Sequence, residues 1–318
     1  MEAKDRFYEA AAMLPPFEGA LRCVPSRTAE TACEIRLRTG RPVIVESPKE
    51  RYICRDRIAA AEDLRSCIKH FCDYSLYSAE RELADGRITL RGGHRAGFAG
   101  TAVMKGGEIT TIRDISSIDL RIAAEHKGIA EKLMSMTVFE NDLKGLILLG
   151  PPMSAKTTML RDYTRLLSAF ARTCVIDENG EIAAVYHGVP QNDIGLNCDV
   201  LDMFPKAEGI MRAVRLLSPE YIICDEVGAE YTELADCANR GVKLILSAHC
   251  GSMEEAARNT AVRELITMGA VNYCALLAGG DRLGNISGLW RVNGIEDISG
   301  CGRSNDLYRG RSRVLVGA

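Results

Sequence analysis

The feature that most constrains this chain is the stretch GLILLGPPMSAKTTMLRDYTRLLS, Gly145 to Ser168, where an apolar run meets a phosphate-loop sequence and then an apolar helical pattern. Residues 150–157 keep the outline G-x-x-x-x-G-K-[ST], with Ala155 in place of the second glycine. A loop of this kind turns consecutive N–H groups toward phosphate oxygens, its lysine reaches the outer phosphates, and its hydroxyl can ligate Mg²⁺. The candidate nucleotide-binding residues are therefore Gly150, Pro151, Pro152, Met153, Ser154, Ala155, Lys156, Thr157 and Thr158, with Thr157 also a metal ligand. The context is the required one, because Leu146 to Leu149 read as a buried strand and Met159, Leu160, Tyr163, Leu166 and Leu167 recur at helical spacing.

A second element agrees. YIICDEVG, Tyr221 to Gly228, is an apolar strand that ends in adjacent carboxylates, the arrangement by which a phosphate-loop ATPase holds the water shell of Mg²⁺ and polarises an attacking water. Asp225 lies 225 − 156 = 69 residues after Lys156, room for an intervening strand and helices. The plainer reading of Asp225 and Glu226 is a loop start with two solvated carboxylates. Two more strand-like runs end in polar tips: CVIDENGEI, carrying Asp177, Glu178 and Glu181, and VKLILSAHC, carrying Ser247 and His249. A histidine at a strand end is often only a structural hydrogen-bonder. Four strand-then-polar-tip units nevertheless predict a parallel sheet with its ligands at the carboxyl edge, that is, an α/β, RecA-like P-loop core.

Beyond the loop stand VIDENGEIAAVYHGVPQNDIGLNCDVLD, FPKAEGIMRAVRLLSPEYIICDEVG and ILSAHC, and upstream EIRLRTGRPV, ITLRGGHRAGFAG and TIRDISSIDLRIA. In these segments the chain resembles the stage III sporulation protein AA family, ATPases related to the hexameric type II and type IV secretion ATPases. The resemblance implies an acidic-box role for Glu178 and Glu181, a Walker B role for Asp225 on the metal and Glu226 on the water, and a γ-phosphate-sensing role for His249. It also implies a homo-oligomeric, hexameric ring, ATP and Mg²⁺ as ligands, and membrane-embedded sporulation proteins as partners. The location it implies is the cytoplasm, at the mother-cell face of the forespore membrane. The chain departs from the family where glycine is expected, at Met153 and Ala155. Those positions commonly need φ > 0, which costs other residues roughly 1–3 kcal/mol each. The expectation is weakened but real nucleotide binding.

Composition bounds the setting. The chain has 318 residues, enough for about two domains, and 47% are hydrophobic, enough for two cores. A formal net charge of −3 gives no global drive toward nucleic acid or anionic lipid. Twelve cysteines are scattered singly, with neither a C-x-x-C pair nor a signal peptide, which reads as free thiols in a reducing compartment. The nearest pair, Cys67 and Cys72, lacks the companions a zinc site requires. No run approaches the ~20 apolar residues needed to cross a bilayer.

Along the chain, a boundary is expected near residues 124–140, giving an α+β N-terminal domain over 1–130, the ATPase domain over 131–290, and a short strand with a basic tail over 291–318. MEAKDRFYEAAAMLPPF reads as a helix stopped by Pro15 and Pro16. EIRLRTGRPVIVES and YICRDRI alternate as strands, AEDLRSCIKHFCDYSLYSAERELADG reads as one or two helices closed by Gly86, and glycine-rich hairpins surround RGGHRAGFAG and MKGGEI. The first domain is expected to cap nucleotide and to drive oligomerisation. Phosphoryl transfer gains from a cation on the developing charge, often delivered across a subunit interface. Arg113 and Arg121 are the preferred candidates, with Arg91, Arg95, Arg212 and Arg215 behind them. For each, the alternative is a structural ion pair.

The reading that emerges is an ATP-hydrolysing ring subunit, similar to the motor of a secretion-like channel between mother cell and forespore. A non-hydrolysing scaffold of the same shape is the alternative, favoured by the altered loop. A nucleic-acid motor is disfavoured because no aromatic-plus-basic single-strand groove is visible.

Overall fold

The computed structural model describes residues 3–73, 80–138, 143–279 and 284–293. The chain divides into two compact units, one formed by Met1–Glu125 with Ala184–Gln191 and the other by His126–Ala183 with the chain from Asn192 onward. The basic tail beyond residue 293 lies outside the described residues.

In the first unit, α1 (Ala3–Ala12), α2 (Glu18–Arg22) and α3 (Ser26–Thr31) precede a six-stranded antiparallel sheet. The strands are β1 (Glu34–Arg38), β2 (Pro42–Glu46), β3 (Arg51–Ile58), β4 (Arg87–Thr89), β5 (Arg95–Lys105) and β6 (Glu108–Arg121), in the order β3-β2-β1-β6-β5-β4. β1 and β2 bury every second residue, as their alternating sequence requires of a sheet with one covered face. Ile35, Leu37, Val43, Val45, Ile118 and Leu120 form that face and share one core with Phe7, Leu14 and Leu21 of the N-terminal helical segment and with Leu64, Cys67 and Phe71 of α4 (Ala61–Phe71). α5 (Glu80–Asp85) ends at Gly86, whose φ of +69° closes the helix.

The second unit is a seven-stranded sheet. Its strands are β7 (Gly145–Gly150), β8 (Thr173–Asp177), β11 (Cys198–Asp202), β12 (Tyr221–Cys224), β13 (Lys243–His249), β14 (Tyr273–Leu277) and β15 (Ile286–Arg291), arranged β11-β8-β12-β13-β7-β14-β15. All pairings are parallel except β14 with β15. Every residue of β7, β8 and β12 is buried, the signature of parallel strands covered on both faces. Each fully buried leucine or isoleucine in these runs contributes about 1.5–3 kcal/mol. The helices α6 (Glu131–Thr137), α7 (Lys156–Leu167), α8 (Lys206–Leu216), α9 (Tyr231–Asn239), α10 (Met253–Arg258) and α11 (Thr260–Thr267) complete the unit. α7 packs on β7 and β13, α8 on β8 and β12, and α9 on β13. β15 is an edge strand of this sheet.

The sheet order places the site. β7, which leads into the phosphate loop, and β12, which leads to Asp225, are not neighbours, because β13 runs between them. The register sets His249 opposite Gly150 on one side and Leu246 opposite Cys224 on the other.

Candidate functional site

The loop between β7 and α7 is held in a conformation that its sequence resists. Met153 has φ +63° and Ala155 has φ +68°, so both non-glycine residues occupy the left-handed region where the motif ordinarily carries glycine. Ala155 is the N-cap of α7. Met153 is 96% exposed, its flexible side chain directed into solvent rather than into the loop. Gly150 is required sterically, since a Cβ there would collide with the Ser154 side chain.

Lys156 is buried, and its Nζ donates to Gly150 O at 3.0 Å and Pro151 O at 2.9 Å and lies 3.0 Å from His249 Nδ1. Burial lowers its pKa, while the carboxylates of Asp225 and Glu226 pull the other way. The ammonium is thus folded back on the carbonyls of its own loop.

Beside it, Thr157 Oγ1 donates to Asp225 Oδ2 at 2.5 Å. Asp225 Oδ1 accepts from Ser247 Oγ, and the same hydroxyl accepts the Glu226 N–H at 2.9 Å. Glu226 also stands in the left-handed region, at φ +52°. Its Oε1 is 2.6 Å from His249 Nε2. His249 therefore joins Lys156 through one ring nitrogen and Glu226 through the other, and an unbroken polar chain runs from the loop to the carboxylate pair.

The other candidates are placed differently. Asp177, rather than either neighbouring glutamate, organises the acidic segment: it is buried and accepts the N–H groups of Glu181, Ile182 and Ala183. Burial raises its pKa against the opposing effect of those three bonds. Glu178 Oε2 is 3.7 Å from Lys206 Nζ, and Glu181 is fixed through its main chain, its carbonyl accepting from Arg161. Arg113 and Arg121 belong to the first unit, where Arg113 lies 3.6 Å from the Asp114 carboxylate and Arg121 pairs in register with Glu34 and Arg95. Arg212 makes the surface ion pair that was its alternative, 2.7 Å from Glu208 one helical turn away. Asp177 and Ser247 are visible in the sequence as strand-tip residues, but without the roles they take here, and Lys206 is not singled out by any motif. Ser247 stands two residues before His249 and so on the same face of β13.

The residues fit a nucleotide with Mg²⁺. Ser154 Oγ is buried without a hydrogen-bond partner, and the first-turn N–H groups of α7 have no partner within the helix. Among the described residues no three His, Cys, Asp or Glu converge to hold a metal by themselves. Mg²⁺ in nucleotide sites is usually held by one or two side chains together with the phosphates, and Thr157 with Asp225 suits that pattern. The described cysteines are all free.

A phosphate-type loop on one strand, an acidic pair two strands away and a histidine strand between them define the fold class of the RecA-like P-loop core. Solved structures share the fold: the Legionella pneumophila ATPase DotB, 17% identical over 83% of this chain and 74% of that one with TM-score 0.53, and the pilus retraction motor PilT with bound ADP, 18% identical over 83% and 77% with TM-score 0.56. Within that class, the chain belongs to the sporulation stage III, protein AA family, which it matches over residues 20–296. It is 37% identical to stage III sporulation protein AA of Bacillus subtilis (strain 168) over 267 residues, 81% of this chain and 86% of that protein. A shorter likeness, 34% over 137 residues, links it to the uncharacterized protein ycf45 of Porphyra purpurea, covering 41% of this chain and 24% of that protein.

Proposed function

We propose that this protein is an ATP-hydrolysing ring subunit that drives a secretion-like channel in sporulation. The observation that carries the reading is the polar chain from Lys156 through His249 to Glu226, with Thr157 and Asp225 in contact beside it. Such a chain has little structural purpose at a strand edge. It serves a site in which phosphate at one end must be felt by a base at the other.

In this reading, phosphate draws Lys156 away from Gly150 O and Pro151 O onto the β- and γ-oxygens. Thr157 and Asp225, now in contact, would hold Mg²⁺ and its water shell, and the metal would supply charge neutralisation. Glu226 orients the attacking water and takes its proton as the oxygen bonds to phosphorus and the bridging oxygen leaves with ADP. His249, released from Lys156, reports that departure to Glu226. Glu178, which shares Lys206 with the Glu226 main chain, and Glu181 take the acidic-box role from the segment following β8. Arg113 or Arg121 of an adjacent subunit completes the charge on the γ-phosphate, and closure of the first unit converts turnover into movement.

The setting proposed is a hexameric ring, without nucleic acid, at the mother-cell face of the forespore membrane, docked on membrane-embedded sporulation proteins; the family supports its sporulation part and the shared fold its ATPase-like core. Among the described residues no helix is long and apolar enough to cross a membrane. The left-handed Met153 and Ala155 favour a second reading, a scaffold that binds nucleotide weakly and does not hydrolyse it. The deciding experiment is phosphate release by the purified protein with and without DNA. Turnover lost in Glu226→Gln and indifferent to DNA supports the motor; nucleotide binding with no turnover leaves the scaffold.

A further inference from the structure

Lys206 is the first residue of α8 and is capped only by Pro205, with no side-chain cap bond. A cation is unfavourable at that end of a helix, where the macrodipole is positive. Its side chain is nonetheless largely buried, at 13% exposure, so the residue is not there for the helix or for solubility. Its ammonium donates to the main-chain carbonyl of Glu226 at 2.6 Å and lies 3.7 Å from Glu178 Oε2 and 3.8 Å from Glu230 Oε1. Glu230 in turn accepts the Gly228 N–H at 3.0 Å.

That carbonyl matters because Glu226 is left-handed. A glutamate has no intrinsic preference for φ +52°, and such a conformation persists only where the surroundings over-determine it. The amide of Glu226 is fixed by Ser247 Oγ, its carboxylate by His249, and the N–H of the following peptide by the Ser247 carbonyl at 2.9 Å. The carbonyl of that peptide is held by Lys206, whose charge also offsets the repulsion between the carboxylates of Glu178 and Glu230.

We infer that Lys206 is a positioning residue for Glu226: it holds the carbonyl of the peptide after the base, whose N–H the Ser247 carbonyl holds, and ties the acidic segment following β8 to the segment following β12. Its hydrogen bond and ion pairs are to Glu226, Glu178 and Glu230, none of them in the phosphate loop. The kinetic part of the inference rests on the ATPase reading above; the structural part does not.

The test compares Lys206→Ala and Lys206→Arg with the unaltered full chain in steady-state ATP hydrolysis and in amide hydrogen exchange of residues 225–228. The expected result for Lys206→Ala is a kcat lower by about 10- to 100-fold with KM for ATP within about twofold, and exchange at 225–228 faster by at least about tenfold. Lys206→Arg, which keeps a charged donor, should restore kcat to within about threefold of the unaltered protein. Should Lys206→Ala not fold, Lys206→Gln takes its place. Unchanged exchange overturns the inference, as does faster exchange with unchanged kcat, or a loss of ATP affinity matching the loss of rate. If the unaltered protein binds ATP and releases no phosphate, the ATPase reading fails on its own, and exchange at 225–228 alone decides whether Lys206 clamps Glu226.

Discussion

Thr157 Oγ1 and Asp225 Oδ2 meet at 2.5 Å although 68 residues separate them in sequence. The hydroxyl that the motif assigns to the metal and the carboxylate assigned to its water shell are thus already side by side. Asp225→Asn should leave ATP binding measured in EDTA unchanged and raise the Mg²⁺ concentration for half-maximal turnover by about 10- to 100-fold. A Mg²⁺ titration of phosphate release reads this directly, and an unshifted midpoint would remove Asp225 from the metal.

The loop predicts an improvement rather than a loss. Met153 and Ala155 both sit at positive φ, which costs about 1–3 kcal/mol per site and is relieved by glycine. If about 1–3 kcal/mol of this combined cost is relieved on nucleotide binding or turnover, Met153→Gly with Ala155→Gly should tighten ATP or speed turnover by about 5- to 150-fold. Lys156→Ala should lose both. Fluorescent-nucleotide titration with parallel phosphate release separates the two gains, and a double-glycine protein no better than its parent would count for the scaffold.

Assembly can be read from concentration. If Arg113 acts on a neighbour's nucleotide, specific activity should rise with protein concentration until rings are complete. Arg113→Ala should bind ATP and hydrolyse it poorly, and mixing it with Glu226→Gln should restore part of the rate through hybrid interfaces. Activity strictly proportional to protein down to the monomer would exclude the trans arrangement.

His94, fully buried in the first unit, makes stability depend on pH. Its Nδ1 accepts the Ala123 N–H at 3.1 Å, and burial lowers its pKa below the ordinary 6.5, only partly offset by Glu9 at 3.4 Å. The unfolded chain therefore binds a proton more readily than the folded one, so this contribution is whole above pH 6.5 and fades as pH falls below it. Urea midpoints at pH 7.5 and 5.5 should show the loss, bounded at about 1.4 kcal/mol per pH unit, and His94→Gln should flatten it. A variant with the same pH slope as the parent would place the effect elsewhere.

Much of this architecture is legible without coordinates, for physical reasons. The strands β7, β8, β12 and β13 are buried runs with polar tips, and each tip lands on the carboxyl edge because parallel crossovers leave no other choice. The alternation of β1 and β2 is equally plain. β11 and β14 are harder: one is a five-residue edge strand of mixed polarity, CDVLD, and the other a five-residue apolar run that periodicity cannot distinguish from buried helix. The grouping of residues 184–191 with the first unit is invisible in sequence, because β9 (Val185–Tyr186) and β10 (Val189–Pro190) are too short to carry a period. At the site, the loop spacing announces left-handed backbone at Met153 and Ala155. Nothing announces it at Glu226, whose conformation depends on partners brought in from β13 and α8.

The central position of β13 has a consequence for how this site can vary. Ser247 and His249 share one face of the strand, and they tie respectively to the carboxylate pair and to the phosphate-loop lysine. A point substitution at either position severs that residue's own ties and leaves the other's in place. Removing or inserting a single residue between Lys243 and Leu246 would turn both side chains to the opposite face and sever the ties together. In this family, length changes should accordingly be confined to the loops on either side of β13, and the strand itself should keep its residue count even where its composition drifts.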